Sequence, residues 1–249
     1  MPQPRLKRKK GPGARIVHRS TRIITGGLLL MLAVTAVPVL ALRWVDPPVS
    51  SFMLQYSAKA RFGGNSGHVF HYDWVDWAQI APEVKLAVIA SEDQRFVRHI
   101  GFDLDAMYHA WREHRGGKSL RGASTITQQT AKNLFLWPSR SLMRKALEGY
   151  FSLLIELFWA KRRILEVYLN IAEFGEGIYG IGAAARAFFH KAPSELTLGE
   201  AALAAAALPS PRRYSVHKPS SHMLRRRNWI IKQMRQLGGT RHLGGLMSL

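Results

Sequence analysis

Cysteine is missing from all 249 residues. That excludes disulfides, a thiolate nucleophile and Cys-based zinc sites, and is compatible with an oxidising compartment without requiring one. Acidic residues are scarce: 16 Asp and Glu stand against 36 Lys and Arg, a formal net charge of +20. Such an imbalance implies a polyanionic partner, which leaves nucleic acid, an anionic membrane surface or a phosphorylated substrate. Acid is absent altogether from residues 1–22, which hold Arg5, Lys7, Arg8, Lys9, Lys10, Arg15, Arg19 and Arg22; eight of the twenty net charges therefore sit in this tail, and +12 remains for the rest. Pro2, Pro4, Gly11, Pro12 and Gly13 argue against a stable fold there. The length suffices for one domain with a proper core plus an appendage.

Charge of either sign is missing again from Ile23 to Leu42. As a helix this stretch spans about 30 Å, the hydrocarbon thickness of a bilayer, so residues 23–42 are expected to form a transmembrane helix. Cations crowd its N-terminal flank, which puts the tail of residues 1–22 in the cytoplasm and everything after the span outside it. Pro38 is a kink that membrane helices tolerate. A cleaved signal peptide competes, with Val39-Leu40-Ala41 as a faint site, but the apolar run is long for that role. Residues 43–60, with Pro47-Pro48, read as a stiff connector, and 61–240 as the folded domain.

Four stretches carry chemistry. Ser91 to Asp103 places adjacent carboxylates, Glu92 and Asp93, after the apolar run Leu86–Ala90. If that run continues as a helix, Val88 and Phe96 flank Glu92 and desolvate it, an environment suited to a general base; the bland alternative is an acidic pair on a solvated helix end. Gly122 to Gln129 offers hydroxyls and amides from Ser124, Thr125, Gln128 and Gln129, with Lys132 beyond them, suited to phosphate and sugar oxygens or, more plainly, to an N-capped helix start with Ser124 or Thr125 as cap. Arg144 and Lys145 lie four and three residues before Glu148, so all three share a helix face; an ordinary surface salt bridge there contributes about 0.5 kcal/mol. They open a long helical pattern through Leu147, Phe151, Leu154, Phe158, Leu165 and Leu169. Gly175 to Gly180 matches Gly-x-Gly-x-x-Gly, but the segment before it reads as helix, which argues against a dinucleotide site. His109 and His114 are five apart, wrong for two ligands on one helix face. The Gly-rich tail after Leu237 is expected to fray.

In chain order these stretches resemble the signatures of the family-51 glycosyltransferases, the peptidoglycan polymerases that use lipid II. Glu92, Asp93, Phe96, His99 and Gly101 fit Glu-Asp-x-x-Phe-x-x-His-x-Gly. Residues 122–129 fit Gly-Gly-Ser-Thr-Ile-Thr-Gln-Gln, with Ala123 in place of the second Gly and Thr130 where a hydrophobic residue is usual. Arg144, Lys145 and Glu148 fit Arg-Lys-x-x-Glu. Ile164 to Asn170 fits Ile-Leu-Glu-x-Tyr-Leu-Asn, read as structural, and Gly177 to Ala185 fits a fifth signature.

The resemblance implies a mainly α, lysozyme-like two-lobed transglycosylase domain over residues 61–240 behind one N-terminal transmembrane helix. It implies Glu92 and Glu148 as catalytic carboxylates, with Ser124, Thr125, Gln128, Gln129, Lys132, Arg140, Arg144 and Lys145 binding substrate. Whether Glu148 positions cations or protonates the leaving group stays open. A divalent cation, magnesium or manganese, at the pyrophosphate is allowed rather than required, and no metal ligand is assigned. The implied partners are lipid II, the growing glycan chain, membrane lipids and other cell-wall synthesis and division proteins, with no nucleic acid. The implied location is the bacterial inner membrane, single-pass, with the catalytic domain periplasmic. Two rivals stand: a lytic enzyme that cuts glycan on the same fold, and a non-enzymatic basic scaffold on a membrane anchor.

Overall fold

A computed structural model of the chain describes residues 12–62, 70–115, 124–139 and 141–246. Helix α1 spans Pro12–Ala41. It begins inside the basic tail, where no fold was expected; Pro12 suits a first helical turn because its missing N–H would lack a partner there anyway. The C-terminal end of α1 is fixed to the body: Thr35 Oγ1 lies 2.7 Å from Tyr150 OH, and Trp159 Nε1 donates to Val39 O at 2.7 Å. Leu29, Leu30, Met31, Val34 and Val37 face outward. Among the described residues no helix is long and apolar enough to cross a membrane. Residues 1–11 of the basic tail and the side chains of Ile23, Ile24 and Leu28 lie outside the described residues.

The expected connector contains a helix of its own, α2 (Ser51–Phe62), whose Ser51 Oγ and Gln55 Nε2 both donate to Leu136 O, at 2.6 and 2.9 Å. The turn before it is gripped by Arg163, which donates to Leu42 O (3.1 Å), Val45 O (2.9 Å) and Asp46 Oδ1 (2.8 Å). The expected Gly-rich loop falls largely on residues 63–69, outside the described set. Strand β1 (His71–Tyr72) and a short 3-10 turn (Trp77–Gln79) lead to α3 (Pro82–Glu92), which starts on proline at its first position. Val84 to Ala90 are all buried. A helix buried on every side, with Lys85 its one buried charge, has no solvent face and becomes the centre of the core.

Four helices follow: α4 (Leu104–Arg115), α5 (Ile126–Phe135), α6 (Leu142–Phe158) and α7 (Lys161–Ile171). Leu104, Met107 and Trp111 of α4 share an exposed face, and His109 is exposed as expected; the side chain of His114 and residues 116–123, including the basic loop, lie outside the described residues. The long pattern read as one helix is two, because Trp159 and Ala160 turn extended. Strand β2 (Glu173–Gly175) pairs antiparallel with β3 (Ile178–Tyr179), which lies parallel to β1. A strand therefore does precede the last glycine of the Gly-x-Gly-x-x-Gly match, contrary to the helical reading. It forms a hairpin, and the glycines serve packing: Gly180 has φ +80°, and a Cβ there would sit 2.4 Å from Asn170 O.

The chain closes with α8 (Gly180–Phe189), α9 (Leu198–Ala207), α10 (Ser221–Gln236) and a 3-10 segment, Gly239–Leu246. That segment corrects the frayed tail: Leu243 and Leu246 are buried against the core. The fold is mainly helical, as expected. Two groups of helices meet: α2, α6 and α7 gather on α5 with α1 against α6, while α9, α10 and the final 3-10 segment surround α3. Alanines at 201, 202 and 204–207 let α9 approach its neighbours closely.

Candidate active site

The two adjacent carboxylates have opposite fates. Helix α3 ends at Glu92, and Asp93 leaves helical geometry at φ −162°, ψ 77°. Asp93 then folds inward. Its Oδ1 and Oδ2 lie 2.9 and 3.0 Å from His99 Nε2, and Oδ2 also accepts from the backbone N–H of Ile126 at 3.0 Å. It thus ties the end of α3 to the start of α5. Phe96 does not flank Glu92 on a helix as expected; it lies in the following turn, fully buried, with Lys161 Nζ 4.6 Å above its ring.

Glu92 instead faces polar donors. Gln129 Nε2 donates to its Oε2 at 3.0 Å, Ser91 Oγ donates to its Oε1 at 3.0 Å, and Arg226 Nη2 stands 3.7 Å from Oε1. The side chain keeps 11% exposure. It lines a cavity of about 280 Å³ together with Ser91, Arg95, Asp103, Ser124 and Thr125. Behind it, Tyr168 OH donates to Gln129 Oε1 at 3.1 Å, which leaves the amide N–H₂ of Gln129 pointing at Glu92. Burial holds the Tyr168 hydroxyl well above its ordinary pKa, with the charges of Glu92 and Asp93 adding to the effect. It remains a neutral donor.

The start of α5 explains itself. Thr125 is the N-cap: its Oγ1 accepts from Gln128 N at 3.2 Å while Gln128 Oε1 accepts from Thr125 N at 3.0 Å, a reciprocal capping box. Thr125 Oγ1 also donates to Gly101 O at 2.6 Å. Thr125 and Gln128 are therefore buried and committed to building the loop, whereas Ser124 is exposed and Gln129 reaches Glu92. Gly122 and Ala123 lie outside the described residues.

Glu148 is 3% exposed, so it is not a surface salt bridge. Arg144 Nη1 and Lys145 Nζ each contact a different oxygen of its carboxylate. Lys145 also stands 3.5 Å from Ser124 Oγ, which links this cluster to the α5 loop. Arg140 lies outside the described residues. Lys132 makes no ion pair among the described residues, and its ammonium sits 5.7 Å from the Phe52 ring. Burial pulls its pKa down; Glu148 opposes that, while Arg144 and Lys145 reinforce it. A desolvated cation beside two others is an environment suited to an anionic group.

Residues 61–235 match the transglycosylase family. The chain belongs to that family. The "Biosynthetic peptidoglycan transglycosylase" of Xanthomonas campestris pv. campestris (strain B100) is 49% identical over 238 residues, covering 96% of this chain and 97% of its own. The protein of that name from Xylella fastidiosa (strain 9a5c) is 49% identical over 216 residues, covering 87% and 89%. The chain is accordingly an enzyme of glycosyl transfer.

In this transglycosylase, sequence reasoning singled out Glu92, Gln129, Glu148, Arg144 and Lys145, and the fold brings them into two linked clusters. It assigned no role to Ser91 or Arg226 and read Tyr168 as part of a structural signature. Asn170 and Glu166 keep the structural role expected of them: Asn170 bonds both backbone groups of Val75, and Glu166 Oε1 accepts from Trp77 N at 2.8 Å. Among the described residues no cluster of three or more His, Asp or Glu side chains could hold a metal ion. Glu148, with both oxygens already facing cations, is a poor donor for one.

Proposed function

We propose that this enzyme polymerises lipid II into peptidoglycan glycan strands and releases undecaprenyl pyrophosphate. The observation that carries the reading is the pairing of two carboxylates in unlike surroundings: Glu92 faces a cavity and accepts from neutral donors, whereas Glu148 sits buried among Arg144, Lys145 and the unpaired Lys132.

Glu92 acts as general base. It takes the proton of the acceptor sugar's 4-hydroxyl as that oxygen attacks the donor's anomeric carbon. The new C–O bond forms as the bond to pyrophosphate breaks, and the leaving group departs with the electron pair. Lys132, Arg144 and Lys145, with Arg140 contributing from outside the described residues, meet the charge that develops on it. Glu148 holds Arg144 and Lys145 in place. Attack on an α-linked pyrophosphate giving a β-linked glycan inverts the centre in one displacement, so no glycosyl-enzyme forms. No step depends on a divalent cation; one would arrive with the substrate's pyrophosphate.

The charge-free stretch 23–42, which lies within α1 up to Ala41 and exposes Leu29, Leu30, Met31, Val34 and Val37, supports anchoring in the bacterial inner membrane. The N-terminus would be cytoplasmic and the catalytic domain periplasmic, where a lipid-linked substrate and the enzyme share one surface. Other cell-wall synthesis and division proteins are the expected partners there.

The test is polymerisation of labelled lipid II by detergent-purified protein beside Glu92→Gln and Glu148→Gln. Polymer from wild type, none from Glu92→Gln and a residue of activity from Glu148→Gln are the expected results. Shortening of preformed glycan with no polymer would replace this reading with the lytic one.

A further inference from the structure

After Glu200 the sequence contains no Asp or Glu, yet nine Lys and Arg fall among those last 49 residues (249 − 200). Five of them, Arg225, Arg226, Arg227, Lys232 and Arg235, are on α10. Two of the nine find carboxylates among the described residues: Arg212 pairs with Glu173, and Arg226 approaches Glu92. Arg225 pairs with none. An uncompensated cationic face is costly unless an anion covers it.

The face is more than a run of charge. His222, Arg225, Arg226 and Trp229 line a cavity of about 320 Å³ that opens to solvent. Trp229 is 43% exposed, and its ring lies 6.0 Å from the Arg226 guanidinium. The His222 ring stacks on Tyr214 with centroids 5.5 Å apart. Ile230 and Met234, on the opposite side of α10, are buried and hold the helix rigid. Arg226 joins this cavity to the catalytic cleft, since its Nη2 donates to Ser91 Oγ at 3.3 Å and faces Glu92.

We propose that this cavity is a subsite for the glycan strand, with Trp229 stacking on a sugar ring and Arg225 pairing with carboxylates of the peptide stems. The inference rests on the polymerase reading above. An exposed indole offers a flat apolar surface with a polar edge, and a guanidinium recognises carboxylate with two parallel hydrogen bonds. A phospholipid surface would need the cations but not the open cavity that Trp229 lines beside them. It would also be expected beside α1, which packs on α6, whereas α10 packs on α9 and α3. By holding the strand next to Glu92, the subsite keeps product from leaving between additions.

The experiment compares full-length wild type with Arg225→Ala/Trp229→Ala, both side chains being exposed, after equal thermal unfolding midpoints have shown that both proteins are folded. The probes are lipid-free glycan strands bearing tripeptide stems, the same strands stripped of stems by an amidase, and phosphatidylglycerol-rich vesicles. Wild type should bind stem-bearing strands, with binding weakened by salt and about tenfold weaker in the double variant or with stripped strands. The variant should make shorter polymer from lipid II, the loss of length following the loss of strand binding. Equal strand binding by the two proteins, equal binding of stripped strands, or a loss confined to vesicles would each overturn the subsite. Strand binding needs no turnover, so a wild type that binds strands but makes no polymer would sink the polymerase reading and not this measurement.

Discussion

Replacing Asp93 with Asn and Glu92 with Gln tests whether two neighbouring acids divide structure from chemistry. Asp93 accepts from His99 and from the amide of Ile126, and both its oxygens are engaged. Asn keeps one acceptor and presents an N–H₂ to a partner that itself donates. One buried hydrogen bond is lost and one buried donor is left unmatched, a cost of about 1–3 kcal/mol for the orphan alone and roughly 2–4 kcal/mol for the site. For a domain of this size that lowers the melting midpoint by roughly 5–12 °C. Glu92→Gln should cost about 1 kcal/mol or less, because the amide oxygen still accepts and the side chain reaches solvent.

The assays are thermal unfolding of the full chain by circular dichroism and lipid II polymerisation well below the melting midpoint. Asp93→Asn should melt early yet retain much of its activity when kept cold. Glu92→Gln should melt near wild type and make no polymer. A stable but inactive Asp93→Asn, or a Glu92→Gln that unfolds as readily as its neighbour, would refute the division.

Lys132→Met should cut the polymerisation rate at least about a hundredfold, and Lys132→Arg should recover part of it, because the proposed mechanism has a cation meet the pyrophosphate; steady-state rates with labelled lipid II decide this. Gly180→Ala should destabilise the fold by at least about 2 kcal/mol, since φ is +80° and the new Cβ would meet Asn170 O at 2.4 Å; loss of soluble yield or an early urea midpoint is the readout. Lys85 is buried against Trp77, and that burial, with Arg162 adding to it, lowers its pKa from 10.5 to about 8. Above pH 8 the unfolded chain therefore holds a proton there that the folded chain has released. Stability should rise with pH from about 8 until the tyrosines begin to ionise near about 10, and urea unfolding of Lys85→Met should lack that slope.

Local chemistry in the sequence anticipated local geometry. The Thr125 cap, the first-turn Pro82 and the shared face of Arg144, Lys145 and Glu148 are read from neighbours three or four positions apart, and each appears in the structure. Contacts that join distant segments were not legible. Nothing at Trp159 or Ala160 marks a helix break; it follows from the indole reaching back to Val39 O, 120 residues away. Arg226 reaches Ser91 across 135 positions, and no spacing rule predicts such a contact. Strands of two and three residues carry too few positions for alternation to register, which is why the short strands between α7 and Gly180 went unread. The final segment looked frayed because its glycines outnumber its apolar residues, yet two leucines suffice to dock it on the core.

The same fold could in principle cut glycan with a single protonated glutamic acid, and the surroundings of Glu92 argue against that use. Gln129 and Ser91 both direct hydrogens at its oxygens, and Arg226 adds positive charge. A carboxylate accepts all of these; a carboxylic acid would bring its own hydrogen against one of them. Cleavage also has no use for cations at the leaving group, because a sugar hydroxyl leaves needing a proton. Here Arg144 and Lys145 are held by a buried carboxylate, and Lys132 is kept desolvated beside them without a partner ion. Burial makes that ammonium costly by itself, and on the proposed mechanism the leaving pyrophosphate offsets the cost. On the proposed mechanism the site accepts a proton at one end and a departing anion at the other, which favours bond formation, and the proposed strand subsite on α10 extends the same logic to the strand that forms.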